Sequence, residues 1–433
     1  MSRVRADRYT NRAGTGSPTF SEGVNVVGIS SLGITTVTGV GQTALTVNGD
    51  ARITGVLTVG QGSVTIGSTN ITTQYINDIQ YPTAGPLSNR NLVINGAMVV
   101  AQRGTSSTTS NYGTVDRFAC YFGGGAQTQT QETLTSGDPY NEGFRYFLRI
   151  ANTTASTGAG DSRQIMTKLE AQNVAQSGWN YTSSTSYVTV SFWIRASVSQ
   201  EYYGYFQTRD GTEQIYPFSL GTLSANTWTK VTKTVPGNSN ITINNNNGEG
   251  LRLVLSPFWG TDYTDSGVSL DTWAAYASGT RTPDYTNTWA GTTDATFDLT
   301  GVQLEVGERS TPFEHRSYGE ELALCQRYCY MIGRDTTYAH MGMGQCNSTT
   351  VGRALITFPQ TMRTEPSFIT SGSFLLTNAT NAGIGIESFA EDVGSRSTYT
   401  LTCTVASGLV AGNSTRLAAE NDTSAYILFS AEL

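Results

Sequence analysis

Charge is scarce in this 433-residue chain: Asp, Glu, Lys and Arg together make up 14%, against about 25% in ordinary globular proteins. Lysine occurs only at Lys168, Lys230 and Lys233, and histidine only at His315 and His340. The net charge is -7 and no Lys/Arg-dense stripe offers a phosphate footprint, which argues against nucleic acid as a partner. No apolar run reaches the roughly 18 residues of a membrane-spanning helix. The start, MSRVRADRYTNRAGTG, has arginines with no apolar stretch behind them, so no secretory signal is read there. The five cysteines (Cys120, Cys325, Cys329, Cys346 and Cys403) are odd in number and dispersed, which excludes a disulfide framework. Cys325 and Cys329 could share one face of a helix, but nothing completes a ligand set around them, and reduced structural thiols are expected. H-E-x-x-H, P-loop and G-x-S-x-G motifs are missing, as is a G-x-G-x-x-G ahead of a helix, and no catalytic residue is assigned.

What remains is rich in Thr, Ser, Asn and Gln, with 47 Gly and 22 Tyr, the material of short strands and turns. Residues 1–20 are aperiodic and read as an exposed arm, either disordered or ordered by docking on a partner. Residues 21–85 alternate short Val/Ile/Leu/Thr strands with Gly or Asn-Gly turns. Each piece is too short to bury its apolar side alone. Three chains wound together would bury Val56, Val59, Val64 and Ile66 against one another; the alternative is a flexible linker.

Residues 86–315 read as about ten strands without a convincing helix. In YVTVSFWIRAS, Val188, Val190, Phe192 and Ile194 face one way, opposite Thr189, Ser191, Trp193 and Arg195. In FDLTGVQLEV the apolar parity changes at Gly301, which predicts a bulge. Residues 316–433 open with a two-turn helix pattern, SYGEELALCQRY, followed by further short strands. The expected class is all-β: an intertwined trimeric β shaft, a jelly-roll β-sandwich, and a smaller C-terminal β-sandwich tip domain.

NLVINGAMVVAQRGTS, VDRFACYF, GVQLEVGERSTPFEHRSYGEELALCQRYCY, FPQTMRTEPSF and the terminal FSAEL together resemble bacteriophage tail fibre proteins. The likeness is to fibres of tailed phages of cyanobacteria and other aquatic bacteria, and the central domain is similar to carbohydrate-binding jelly rolls. The resemblance implies a homotrimer in the virion, synthesised and assembled in the host cytoplasm. It implies attachment to a tail, baseplate or adaptor protein through residues 1–20, with Arg3, Arg5, Arg8, Tyr9 and Arg12 as the contacts. It also implies recognition of host surface polysaccharide by the β-domains without cleavage.

Sugar rings pack their C–H faces on aromatics while amides, carboxylates and arginines bond the hydroxyls. The candidates are Trp193, on the polar side of its strand, Tyr203 and Tyr205, which share a face, and Trp259, Tyr263, Trp273, Tyr276, Tyr285 and Trp289, in the weakly patterned segment 257–294. A segment of that length is expected to serve surface recognition. Asp262, Asp265 and Asp271 in the same stretch are the candidate carboxylates for a glycan hydrolase or for a structural calcium ion; no other cofactor is expected. Residues 334–350 and 386–398 are a second candidate reader. A purely structural spacer is the remaining alternative.

Overall fold

The computed structural model describes residues 88–286, 288–377 and 382–433, with the backbone of a hairpin formed by β1 (Tyr75–Ile76) and β2 (Ile79–Gln80). The expected attachment residues, Arg3, Arg5, Arg8, Tyr9 and Arg12, lie outside the described residues, as does the shaft apart from this hairpin.

The main body begins with β3 (Ser106–Ser107), β4 (Phe118–Gly123), β5 (Ala126–Thr133), α1 (Asp138–Asn141), β6 (Tyr146–Thr154) and β7 (Ser162–Glu170). It continues through α2 (Ala171–Ala175), β8 (Tyr187–Ala196), β9 (Gln200–Thr208), β10 (Gln214–Leu223) and β11 (Thr229–Pro236). It closes with β12 (Glu249–Trp259), β13 (Ala274–Ala275) and β14 (Ala295–Val306). These strands form two six-stranded antiparallel sheets, a front sheet ordered β13-β10-β9-β12-β7-β4 and a back sheet ordered β11-β8-β14-β6-β5-β3. Most consecutive strands cross between the sheets, as in a jelly roll, while β5–β6 and β9–β10 pair directly within one sheet. Period-two alternation builds the core: Val188, Val190, Phe192 and Ile194 of β8 meet Leu251, Leu253 and Leu255 of β12 in one buried cluster.

The parity change at Gly301 is a bulge. The register of β14 against β8 shifts between Thr300 and Gln303, and Gly301 has φ 65°. Phe297 and Leu299 before it and Val302, Leu304 and Val306 after it all reach the same core. A Cβ at this position would come within 2.7 Å of the Phe144 ring, so glycine is required twice over.

The C-terminal body starts with α3 (Tyr318–Gln326), opened by a capping box between Ser317 and Glu320. Its strands are β15 (Cys329–Gly333), β16 (His340–Cys346), β17 (Val351–Thr357), β18 (Ser367–Ser371) and β19 (Phe374–Thr377). They are followed by β20 (Gly383–Gly394), β21 (Thr398–Val405), β22 (Ser414–Ala419) and β23 (Tyr426–Ser430). The body is all-β as expected, but it closes into a barrel, β16-β17-β21-β20-β19-β22, beside a three-stranded sheet, β15-β23-β18, where a second sandwich was expected. Closure leaves the barrel without open edges, and glycine permits the tight approach: a Cβ on Gly344 would lie 1.7 Å from the Arg353 carbonyl oxygen. The shared helix face foreseen for Cys325 and Cys329 does not form, because Cys329 begins β15 after the helix has ended. All five cysteines are buried free thiols.

A buried polar seam joins the two bodies. The Arg117 guanidinium stacks 3.5 Å from the Tyr328 ring centroid and pairs with Glu432. Glu170, at the end of β7, accepts from Arg327 Nε (2.6 Å) and Nη2 (2.8 Å) and from the Tyr328 hydroxyl (2.5 Å). Arg363 donates to the carbonyls of Asn247 (2.9 Å), Ala431 (2.7 Å) and Glu432 (2.7 Å). Burial by itself would raise the Glu170 carboxyl; the bonds from Arg327 and Tyr328 outweigh it and hold the group below its ordinary value. A depressed carboxyl stabilises the fold above its unfolded value and loses that contribution as the pH falls through the folded one. Glu170→Gln should therefore be less stable than wild type at pH 7, with the gap narrowing below the ordinary value of 4.5. Glu432→Ala leaves Arg117 buried without its carboxylate and should cost about 3–5 kcal/mol. Urea midpoints across pH check both.

Candidate functional site

The outer face of the front sheet gathers most of the aromatic candidates. Alternation along β9 turns Tyr203, Tyr205 and Gln207 outward and sends Tyr202 into the main core. Across the sheet, Gln207 is opposite Arg252, which is opposite Lys168, and Tyr205 is opposite Val254, which is opposite Met166. Met166, Tyr205, Ile215 and Val254 would leave an apolar patch facing water. The segment after β12 covers it: Trp259 completes a buried cluster with those four, and Tyr263, Tyr276 and Tyr285 pack against it.

The long segment is therefore a lid whose rings point mainly inward, where surface recognition was expected of the segment as a whole. Trp289 is 0% exposed in the main core, its indole donating to the Thr296 carbonyl at 3.0 Å. Tyr205, Trp259 and Tyr203 are also buried. Tyr285 packs edge-on to Tyr203 (5.1 Å) and donates to the Ser256 carbonyl at 3.1 Å. Trp273 packs on Tyr216 and donates to the Pro236 carbonyl at 2.7 Å. Trp193 belongs to the opposite face, buried on the back sheet with its indole bonded to Glu142 at 3.0 Å. Arg149 and Arg195, on the same face, both bond to the buried Asp298 (2.7 and 2.8 Å).

The aspartates do not assemble. Asp262, Asp265 and Asp271 are exposed. Asp265 accepts from the Gly267 amide at 2.7 Å as a turn former, and Asp271 takes φ 56° with its amide on the Pro217 carbonyl. Among the described residues no three metal-ligating side chains come together. Asp262, Asp265 and Asp271 therefore form no joint three-carboxylate group for calcium.

At the solvent edge of the lid stands Arg281, which the sequence reading passed over. Its guanidinium carbon lies 4.3 Å from the Trp259 ring centroid, 4.6 Å from that of Tyr263 and 5.9 Å from that of Tyr276. Its Nε donates to the Tyr276 hydroxyl at 3.1 Å, and its amide donates to the Tyr263 carbonyl at 3.0 Å. An arginine within the ring-rich segment was the available signal, because guanidinium and aromatic faces attract. Tyr263, Tyr276 and Arg281 are half-buried.

A polar ladder continues from there across the sheet. Arg209 pairs with Glu213, and the Gln207 amide donates to Glu213 at 2.6 Å. Arg252 Nη2 donates to Glu249 at 2.7 Å. Lys168 Nζ donates to the main-chain oxygen of Leu433 at 2.5 Å. Burial pushes the Tyr205 phenol up against the opposing pull of Arg281, Arg252 and Arg209, which surround it. Guanidinium edges, amides and half-open rings thus meet on one face, a donor set suited to hydroxylated ligands.

No known family profile matches the chain, and no curated protein matches it. Among solved structures it is similar to the enzymatically active domain of a bacteriophage CBA120 tailspike protein at 8% identity and a TM-score of 0.27, over 50% of this chain and 21% of that one. A family 11 carbohydrate-binding module from Clostridium thermocellum, in complex with a mixed-linked tetrasaccharide, matches at 10% identity and 0.23, over 49% of this chain and 98% of the module. The CBM22-1 xylan-binding domain from Paenibacillus barcinonensis matches at 10% identity and 0.23, over 49% and 100%. These are remote likenesses of about half of the chain.

The burial pattern separates two classes of ring. Trp289→Ala and Trp259→Ala should each cost about 3–5 kcal/mol of stability. Tyr276→Ala, at the solvent edge, should cost about 1 kcal/mol or less. Urea denaturation followed by circular dichroism measures all three.

Proposed function

We propose that this chain is a glycan-binding adhesin of the phage tail fibre type: a homotrimer, joined to the tail by residues 1–20, that holds host surface polysaccharide without cleaving it. The observation that carries the reading is the half-open edge of the front-sheet lid, where Tyr263, Tyr276 and Arg281 adjoin the Gln207–Glu213–Arg252 ladder. Rings and forked donors on one rigid sheet offer a sugar both its apolar and its hydroxyl contacts.

The non-catalytic part rests on the carboxylates of that face. Glycosidases keep one carboxyl protonated near a second, ionised one. Here Glu213 is paired with Arg209 and Glu249 with Arg252. The trimeric part draws support from the outside of the barrel. Met343 is the direct cross-strand partner of Leu355, and Thr400 connects Leu355 to Val393. The three apolar side chains are 69%, 48% and 65% exposed. An apolar row of this kind is better buried against copies of itself, and three weak sites on one trimer multiply through effective concentration.

Incubating the full-length protein with polysaccharide extracted from the host surface should give retention on the polymer with no shorter fragments; appearance of fragments would overturn the non-catalytic reading. The double variant Tyr263→Ala/Tyr276→Ala should weaken retention about tenfold with its circular dichroism unchanged, whereas full retention would remove this face as the reader. Light scattering should return three times the chain mass; a monomer in solution would refute the trimer.

A further inference from the structure

A guanidinium keeps its charge at every accessible pH, so a half-buried arginine needs either a carboxylate or a full set of other partners. Arg281 has neither. Its guanidinium carbon lies 4.3 Å and 4.6 Å from the ring centroids of Trp259 and Tyr263, which meet each other edge-on, and its Nε bonds the Tyr276 hydroxyl. No carboxylate forms an ion pair with it among the described residues, although fourteen such pairs are formed elsewhere. Glu213 is paired with Arg209 and Glu249 with Arg252, while Asp284 accepts from the Thr264 hydroxyl at 2.6 Å and Asp265 from the Gly267 amide at 2.7 Å. The two terminal nitrogens of Arg281 have no hydrogen-bond partner and are not among the buried unpartnered atoms, so they open to water. The two rings and the Nε bond to Tyr276 hold the guanidinium from one side and leave its terminal nitrogens free, and a free fork of this kind can grip a carboxylate or sulfate with two parallel bonds.

We infer that Arg281 makes the front-sheet face selective for acidic saccharides, its terminal nitrogens taking the carboxylate of a uronic acid or the sulfate of a sulfated sugar. This rests on the glycan-binding reading above and adds the class of ligand to it. Arg209 and Arg252 on the same face are paired with Glu213 and Glu249 and do not compete for the ligand.

The test uses the full chain and host surface polysaccharide in three forms: untreated, carboxyl-reduced and desulfated. Binding should fall about tenfold or more on removal of one of the two acidic groups, and the arm that falls names the group. Arg281→Gln, which can still bond Tyr276, should bind the untreated polymer as weakly as wild type binds the treated one. Arg281→Lys should recover only part of the loss, because a point charge lacks the fork. Should either variant fail to fold, the wild-type comparison of the three polymers still decides the matter. Equal binding to all three forms would overturn acidic selectivity while leaving glycan binding intact. No binding to the untreated polymer would overturn both.

Discussion

A sandwich of two sheets has two outer faces, and on this one the front sheet carries Met166, Tyr205, Ile215 and Val254 across three strands and the neighbouring β10. Such a face cannot be left to water without an apolar patch. The chain covers it with its own next segment, and the rest of the site follows from that cover. Trp259 closes the cluster from the end of β12, and Tyr263, Tyr276 and Tyr285 press on it from the lid. Because the lid carries its rings downward, its polar rim is what faces solvent. Arg281 is held in that rim by the same rings that close the patch. The apolar requirement of the sheet and the display of a guanidinium edge are two sides of one packing solution.

The seam between the sandwich and the C-terminal body sets how rigidly this face is presented. It is built from charge instead of apolar surface: Arg117 on Tyr328, Glu170 beneath Arg327, and Arg363 clamped on three carbonyls. Buried pairs of this kind contribute modestly to net stability, but breaking one leaves an uncompensated charge. The seam therefore resists partial opening. Lys168, the last rung of the ladder on the front sheet, bonds the main-chain oxygen of Leu433, so the end of the C-terminal body borders the proposed binding face.

Much of the architecture was legible because period-two alternation is local. The inward set of β8, the opposed Tyr202 and Tyr203, the bulge at Gly301 and the capped helix at Ser317 all depend on residues a few positions apart. What was not legible depends on partners far along the chain. Whether Trp289 faces water or the core depends in part on Gln200, 89 residues away, whose side chain accepts from its amide. The barrel closes through pairing of β16 with β22, about seventy residues apart, and no alternation pattern distinguishes closure from a second sandwich. The site was half readable for the same reason. The ring-rich segment stands out in composition, while the direction of each ring, and the place of Arg281 among them, required knowing that an apolar sheet face lay beneath.

Composition also bears on how an acidic chain would hold an acidic polymer, as proposed above. The net charge of -7 opposes approach at long range. Yet in about 0.1 M salt that field is screened beyond roughly 10 Å, so contact is governed by the charges in immediate reach. All but three of the 26 basic residues are arginine, and on the front face Arg209 and Arg252 are neutralised by their own glutamates while Arg281 is not. An arginine packed against rings and bonded through Nε is already partly desolvated and restrained, so less rotational freedom remains to be lost on binding. A lysine at the same point would keep its hydration shell and its flexibility. The scarcity of lysine and the single uncommitted fork on this face express the same preference: few charges, each placed to make directional bonds instead of a diffuse attraction.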